Sequence, residues 1–303
     1  MQTEPSPSPS SPAKLQWMFW LGIGLIVLLL ILLVINIIKG PNQAIADDKQ
    51  PATVTLPDPP KVSSPSPSTA SSTASAPLPQ TAAQSFTHLN QAFTAFILDL
   101  TQHEVTFAPA PTNTFQTITD LKTKIEQKGQ ALQFATNAGI FKKNGRPEGL
   151  FVSQGKTISP LNLKDGNGNF YMKPNGVFYI TTAGKAGILE SQEYQDQHPE
   201  VAFATQSGPL LMQNGDIHPA LRQGSKNLRL RSGVGILSSQ QAVFVISQKP
   251  VNFYDFTDVF HQHYGCQDIL YLDGVISEMY VPDLGLTKTG QDFSGIIAVV
   301  KEE

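Results

Sequence analysis

From residue 131 onwards the chain consists largely of short apolar runs separated by turns rich in Gly and Asn, and no other feature constrains the fold as strongly. The runs have the length and the content of β-branched and aromatic residues that are typical of strands. GLFVSQGKTI and GPLLMQNGDI each place a polar turn between two apolar halves. The pattern predicts an α+β domain with mixed, mainly antiparallel sheets and a few helices. The complete series is ALQFAT, GLFVSQGKTI, GVFYITT, GILE, VAFAT, GPLLMQNGDI, SGVGILS, QAVFVIS, DILYLD and SGIIAVV.

Two segments have the apolar spacing of helices rather than of strands. Residues 113–129 predict a helix that is capped by Asn113 and ended by Gly129. Residues 251–265 predict a single helix between two strands. The apolar stripe of the first helix consists of Phe115, Ile118, Leu121 and Ile125.

The start of the globular part admits two interpretations. Residues 93–100 and 104–110 are β-rich runs separated by a short polar segment, which predicts a hairpin. The first run can also be read as the end of a helix that begins near Ser85, because its apolar residues continue a helical spacing from that point.

An uncharged apolar stretch from Trp17 to Ile38 predicts a transmembrane helix or signal anchor. As a helix it would be about 33 Å long, which is enough to cross a hydrocarbon core of about 30 Å. Residues 39–84 are rich in Pro, Ser, Thr and Ala and lack the apolar surface needed to fold, so they predict a disordered linker. The chain is thus expected to comprise a tail at 1–16, the apolar span at 17–38, the linker at 39–84 and a globular domain at 85–303.

This organisation predicts a domain that is anchored to a membrane and lies outside the cytoplasm, in the periplasm or the extracellular space. Ala44-Ile45-Ala46 resembles a signal-peptidase site, and cleavage after Ala46 would secrete the domain instead. The apolar span exceeds the roughly 7–15 residues of a secretory signal, which favours the uncleaved anchor.

Composition excludes one class of partner. The formal net charge is −3 and charged residues make up 15% of the chain, without the clustered Lys and Arg that nucleic-acid binding requires. Cys266 is the single cysteine, so no intrachain disulfide can form. We expect it to be a buried, unreactive side chain.

Several strand ends carry a hydrogen-bonding side chain beside a small residue. Glycine lets a ligand approach the backbone closely, and amide, hydroxyl and guanidinium groups together suit sugar hydroxyls and phosphate oxygens. The repeated placement therefore indicates a sugar or phosphate site. The residues concerned are Asn137 with Gly139, Asn175 with Gly176, Ser207 with Gly208, Arg231 in RSGVG, and Asp273 with Gly274.

The same motifs carry a family resemblance. NAGIF, GNFYMKPNGVF, QSGPLL followed by NGDIHP, RSGVG, the segment from VNFYDF to GC, and LYLDG occur in one order over residues 90–300. In this order they resemble the phosphodiester glycosidase family, the bacterial branch of the domain shared with the mannose 6-phosphate uncovering enzyme. Six ordered motifs are a specific signal, whereas any one alone would be weak.

The resemblance implies hydrolysis of a sugar 1-phosphodiester, which releases the sugar and leaves a phosphomonoester. It also implies a cleft formed by Asn137, Gly139, Asn175, Ser207, Gly208, Arg231 and Asp273. One position departs from the pattern of the uncovering enzyme, because Val275 and Ile276 replace glycines before Ser277. The N-acetylglucosamine specificity of that enzyme is therefore not transferred to this chain.

We hypothesise that Asp273 is the catalytic base or nucleophile and that Arg231 stabilises the departing phosphate. The second carboxylate of a glycosidase would be Glu278, in the same loop, or Glu148 in RPEGL. The residues expected to contact substrate are Asn137, Gly139, Asn175, Ser207, Gly208 and Ser277.

These motifs require no cofactor, and whether a divalent cation is needed is left open. His261 and His263 are two positions apart and would not share a helix face, so no metal site is predicted there. For His218 we expect a structural hydrogen bond.

The expected substrate is a glycosyl phosphodiester or an envelope glycan. Two alternatives remain, namely a phosphodiesterase that cleaves the P–O bond and a carbohydrate-binding module without catalysis.

Overall fold

The computed structural model describes residues 82–302, which form three β-sheets and three short α-helices. The helices are α1 Ile118–Glu126, α2 Ser191–Gln197 and α3 Phe253–Asp258. The strands are β1 Ala83–His88, β2 Gln91–Asp99, β3 Glu104–Pro109, β4 Gln130–Asn137, β5 Phe151–Ser153, β6 Lys156–Ser159, β7 Gly176–Thr181, β8 Ala186–Glu190, β9 Val201–Ser207, β10 Leu210–Gln213, β11 Asp216–Ile217, β12 Ser232–Ser238, β13 Gln241–Ser247, β14 Ile269–Asp273, β15 Met279–Tyr280 and β16 Gly295–Glu302.

The three sheets differ in size and share one pairing mode. A seven-stranded sheet has the order β1-β2-β13-β12-β14-β10-β11, a four-stranded sheet the order β15-β4-β16-β3, and a five-stranded sheet the order β6-β5-β9-β7-β8. Every strand pair in this part of the chain is antiparallel. The predicted α+β class with mainly antiparallel sheets is confirmed. Parallel strand pairs, which the predicted mixed sheets would contain, are not found among these strands.

The strands predicted from residue 131 onwards are all present. The two segments with a central polar turn form the hairpins β5–β6 and β10–β11. Gln154-Gly155 and Asn214-Gly215 connect them with positive φ at both residues, the backbone that tight two-residue hairpin turns require. These hairpins were predictable because the turn and its strands are adjacent in sequence.

The hairpin predicted for residues 93–100 and 104–110 is wrong, although both segments are strands. They lie in different sheets, where β2 pairs with β1 and β13 while β3 pairs with β16. The helix considered near Ser85 is also wrong, because Ala83–His88 is the strand β1. A turn at Leu89-Asn90, with positive φ at both residues, joins it to β2.

Both predicted helices are present with shifted boundaries. The first begins at Ile118 rather than Asn113, because Thr117 and Asp120 form a reciprocal capping box. The second begins at Phe253, where the Asn252 side chain accepts from the Asp255 N–H, and continues as a π-helical turn over Val259–His263.

The strand β14, in the interior of the seven-stranded sheet, is buried on both faces, which explains its nearly continuous apolar sequence. Leu270 and Leu272 face the core between the sheets, where Phe96 of β2 stacks on Phe134 of β4 at 4.2 Å between ring centroids. Ile269 and Tyr271 face a second core beneath α3. The pairing of β14 with β12 is irregular at its end, because Asp273 lies opposite Ser232 while Tyr271 lies opposite Gly233.

The predicted tail at 1–16 and transmembrane span at 17–38 lie outside the described residues, and so does the predicted linker at 39–84 except for its last three residues. The boundary at 84 is wrong, because Ala83 and Gln84 already belong to the strand β1. Within residues 82–302, no helix is both long and apolar enough to cross a membrane. The prediction for Cys266 is confirmed, since its side chain is buried and burial raises the pKa of its thiol to about 12.

Candidate active site

Asp273 is the last residue of β14, and its side chain is half-buried at the C-terminal end of the strand. Its Oδ1 accepts a hydrogen bond of 2.6 Å from the Gly274 N–H. Burial raises the pKa of the Asp273 carboxyl to about 6, although this hydrogen bond favours the charged form. A carboxyl with such a pKa can exchange a proton close to neutral pH, as a general acid or base must.

The loop that follows Asp273 is held by a buried polar network centred on Ser232. Asn137 at the end of β4 donates from Nδ2 to the Ser232 Oγ at 3.0 Å, and Ser277 donates to the same oxygen at 2.9 Å. Two backbone N–H groups complete the network, since Asp273 donates to the Ser232 Oγ and Glu278 donates to the Asn137 Oδ1. Asn137 and Ser277 are thus brought together with the backbone of Asp273.

Gly139 and Ser207 connect the ends of β4 and β9 to β14. A Cβ on Gly139 would lie 2.2 Å from the Gln206 carbonyl oxygen, so the contact admits only glycine. The Ser207 hydroxyl donates to the Leu272 carbonyl at 2.8 Å and accepts from the Ile140 N–H. Both residues therefore fix the backbone that leads to Asp273.

Arg231 is buried, with 1% of its surface exposed, although its charge would favour a surface position. Nε donates to the Val251 carbonyl at 2.8 Å, and Nη2 donates to the Asn227 carbonyl at 2.9 Å. The guanidinium carbon lies 3.6 Å from the centroid of the Phe253 ring. Burial lowers the pKa of the guanidinium, which nevertheless stays protonated in proteins.

One atom of this guanidinium is left without a partner. Nη1 makes no hydrogen bond to any residue of the described part, and no carboxylate there forms an ion pair with Arg231. An uncompensated buried charge is costly, so the site favours an anion beside Nη1.

Tyr271 links Arg231 to Asp273. Its hydroxyl interacts electrostatically with both groups and with the side chain of Asn169. The hydroxyl reaches the turn after β14, because a Cβ on Gly274 would lie 2.5 Å from it. Burial and the Asp273 carboxylate raise the pKa of Tyr271, which keeps the phenol protonated.

Asn175 and Gly208 form the adjoining wall. The Asn175 amide donates from Nδ2 to the Phe170 carbonyl at 2.9 Å. Its Oδ1 is the other buried side-chain atom without a hydrogen-bond partner in residues 82–302. A Cβ on Gly208 would lie 2.7 Å from the Asn175 Cβ, so this wall also requires glycine. An unpaired acceptor at Asn175 and an unpaired donor at Arg231 suit a ligand with hydroxyl and anionic groups.

The two candidates for a second carboxylate have other partners. Both oxygens of Glu278 accept from the Gly290 N–H, and one also accepts from the Gln291 N–H. Glu148 accepts from the Tyr171 hydroxyl and lies 3.8 Å from the Lys142 Nζ. Among the described residues, no hydrogen bond joins either side chain to the Asp273 carboxylate.

The histidines singled out by the sequence lie in structural positions. His218 is buried, accepts from the Ala220 N–H at Nδ1 and therefore donates from Nε2 to the Lys173 carbonyl, which confirms the expected structural hydrogen bond. His263 stacks on Phe86 with 4.3 Å between ring centroids, and His261 bonds the Cys266 carbonyl. Residues 82–302 contain no group of three His, Cys, Asp or Glu side chains arranged to bind a metal.

Tyr271 and Ser232 are the central residues that sequence reasoning missed. Tyr271 could have been found from its position two residues before Asp273 in the LYLDG motif. Ser232 follows Arg231 directly, but nothing local to the sequence indicates that its hydroxyl would join three separate segments.

Comparisons with known proteins agree with this architecture. The family described as phosphodiester glycosidase matches residues 130–295. The chain is 40% identical over 165 residues to a protein of Escherichia coli strain K12 named uncharacterized protein YigE, an alignment that covers 54% of this chain and 64% of YigE.

Two solved structures match parts of this chain. The catalytic domain of zebrafish N-acetylglucosamine-1-phosphodiester alpha-N-acetylglucosaminidase, auto-inhibited by its pro-peptide, matches with a TM-score of 0.50 and 14% identity. The match covers 72% of this chain and 81% of that one. A hypothetical protein from Synechocystis matches with a TM-score of 0.46 and 12% identity, over 72% of this chain and 61% of that one. At 14% identity the zebrafish match shows a common fold alone.

Proposed function

Because this chain belongs to the phosphodiester glycosidase family, we propose that it hydrolyses a sugar 1-phosphodiester at the glycosidic C–O bond. The products are a free sugar and a phosphomonoester. The observation that carries the proposal is the group formed by Asp273, Tyr271 and Arg231, where a half-buried carboxyl with a pKa of about 6 and a buried guanidinium with an unpaired N–H both interact with Tyr271.

In the proposed mechanism, Asp273 acts on the sugar and Arg231 acts on the phosphate. Asp273 either removes a proton from water as the water oxygen bonds to the anomeric carbon, or attacks that carbon itself before hydrolysis. The electrons of the breaking C–O bond leave with the phosphate, and the Arg231 Nη1 stabilises the charge that develops there. A phosphomonoester is a stable anion, so its departure needs little help from a second carboxylic acid.

The remaining site residues have two proposed roles. We assign the Asn175 Oδ1 to a sugar hydroxyl, because it is a buried acceptor without a partner. Asn137, Ser207, Ser277 and Glu278 are positioning residues, because their polar atoms already bond other parts of the protein. Gly139 and Gly208 permit the close backbone packing that places these groups.

The bond that breaks can be identified by isotope labelling. We expect the purified chain of residues 1–303, in detergent, to turn over a glycosyl phosphodiester in ¹⁸O-water and to place the label in the sugar. Label in the phosphomonoester would show P–O cleavage and contradict the proposed mechanism. Binding without turnover of any sugar 1-phosphodiester tested would favour a carbohydrate-binding module.

The raised pKa of Asp273 predicts the acidic limb of the pH profile. If the ionised carboxylate is required, kcat/KM should fall as the pH drops through about 6, rather than near the value of about 4 of an ordinary aspartate. The measurement is kcat/KM from pH 4.5 to 8, with thermal unfolding at each pH as the control. An activity that is level down to pH 5 would contradict the assigned role of Asp273.

We also propose that the catalytic domain is held at a membrane, outside the cytoplasm, where it acts on envelope glycans. The support is the uncharged stretch from Trp17 to Ile38 and the Pro- and Ser-rich linker after it.

A further inference from the structure

A cleft of about 550 Å³ contains none of the residues of the Asp273 group. Its volume is within the range of pockets that hold small ligands. Its walls come from the segment after β3, the loop that joins β4 to β5, and the segment that follows β6. We name it the Glu148 cleft, after the carboxylate that lines it together with Tyr171, Lys142, Arg146 and Lys164.

The cleft has an excess of positive charge. Lys142, Arg146 and Lys164 are exposed, and Glu148 is the one carboxylate among the lining residues. Lys142 lies 3.8 Å from Glu148, whereas the side chains of Arg146 and Lys164 make no ion pair or hydrogen bond with other residues of 82–302. In a chain with a net charge of −3, two unpaired cations at one cleft favour an anionic ligand.

The wall of the cleft suits a sugar. The Tyr171 hydroxyl donates to Oε1 of the half-buried Glu148, while Oε2 has no partner within the described part of the chain. A carboxylate oxygen held in this way is a ready acceptor for a sugar hydroxyl. The position of Glu148 is fixed, because its backbone N–H donates to the Ile140 carbonyl and its carbonyl accepts from the Asn162 amide.

The cleft is linked to the proposed active site by a 3₁₀ turn at Asn169–Tyr171. Asn169, at one end, interacts with Tyr271, and Tyr171, at the other, contacts Glu148. Gln206, which directly precedes Ser207, gives a second link. Its Oε1 accepts hydrogen bonds from the N–H groups of Asn162 and Leu150. The cleft and the Asp273 group are therefore connected through these two segments.

We propose that the Glu148 cleft binds a second phosphorylated sugar of the substrate, which makes the substrate a glycan with more than one phosphate. Arg146 and Lys164 contact the phosphate, and Glu148 accepts a hydroxyl of the ring. The identification of this sugar as part of the substrate rests on the proposed function; its binding in the cleft does not.

The test measures binding without turnover. Glucose 6-phosphate, which has no 1-phosphodiester, is titrated calorimetrically into the chain of residues 1–303 in detergent and into its Asp273→Asn variant. We expect both to bind it equally and more weakly as salt is raised, because exposed cations are screened. Charge reversal in the double variant Arg146→Glu/Lys164→Glu should weaken binding by about tenfold to a hundredfold. Glucose without phosphate should bind the unchanged chain at least about tenfold more weakly.

Two further variants control for charge and folding. Lys128→Glu/Lys185→Glu reverses the same number of exposed charges away from the cleft and should bind like the unchanged chain. Arg146→Lys/Lys164→Arg keeps the cations and should retain binding, and the thermal unfolding temperature of each variant should be unchanged.

Three results would overturn the proposal. These are no binding of glucose 6-phosphate, equal binding by Arg146→Glu/Lys164→Glu, and equal affinity for inorganic phosphate, which would leave no role for the sugar. A failure of the proposed function gives a different pattern, in which Asp273→Asn keeps its turnover while charge reversal at the cleft still weakens binding of glucose 6-phosphate.

Discussion

Asp273→Asn is expected to lower kcat on a sugar 1-phosphodiester by roughly a thousandfold. The amide has the shape of the carboxylate and can still accept from the Gly274 N–H, so the loop should keep its conformation. It can neither take a proton from water nor attack the anomeric carbon. The measurement is steady-state turnover, supported by an unchanged thermal unfolding temperature.

Asp283→Asn is the matched control for this prediction. Asp283 is an exposed aspartate in the 3₁₀ turn Pro282–Leu284, and the substitution removes the same charge at another surface position. Its kcat should equal that of the unchanged chain. Near-normal turnover by Asp273→Asn would remove Asp273 from the mechanism and leave the family's chemistry to other residues.

Arg231→Met is expected to lower kcat/KM by roughly a hundredfold to a thousandfold, the range found when one donor to a developing oxyanion is removed. Methionine can fill much of the space against Phe253 but cannot donate a hydrogen bond to phosphate. The loss of the bonds to the Val251 and Asn227 carbonyls should destabilise the fold. Removal of a buried, unpaired charge offsets part of that cost, so the net change in the free energy of unfolding should stay within about 2 kcal/mol.

Arg229→Met separates a local charge effect from the specific role of Arg231. Arg229 lies two residues earlier, is exposed, and donates from its side chain only to the neighbouring Leu228 carbonyl. Its replacement should leave kcat/KM unchanged. If Arg231→Met kept its activity and merely unfolded at a lower temperature, the buried guanidinium would be a structural group.

The strands and short hairpins could be predicted because their signals are local. Gln154-Gly155 and Asn214-Gly215 each join two strands that are adjacent in sequence, so the turn residues and the pairing are read from one segment. The distant partner of β2 could not be found in this way. It pairs with β13, where Gln241 lies opposite Asp99, and such a distant partner is selected by packing in the core.

The candidate site was predictable to a similar extent. The motif order identified Asp273, Arg231 and Asn175, and the structure places them around Tyr271 and the 3₁₀ turn at Asn169–Tyr171. The burial of Arg231 was not predictable, because it depends on Phe253 and Val251, which a different segment contributes. The cleft at Glu148 was missed for the same reason, since its walls come from separate parts of the sequence.

By itself, the sequence determined the strand content, the turns and the family to which the chain belongs. Each of these depends on residues that are near one another in the chain or on motifs in a fixed order. Only the tertiary structure decided which of the nominated polar groups remain available to a ligand. Hydrogen bonds from distant segments occupy Asn137, Ser207 and Glu278, whereas the Arg231 Nη1 and the Asn175 Oδ1 are left unpaired. Whether a polar atom is free is a property of its neighbours in space, and for this site those neighbours come from every sheet.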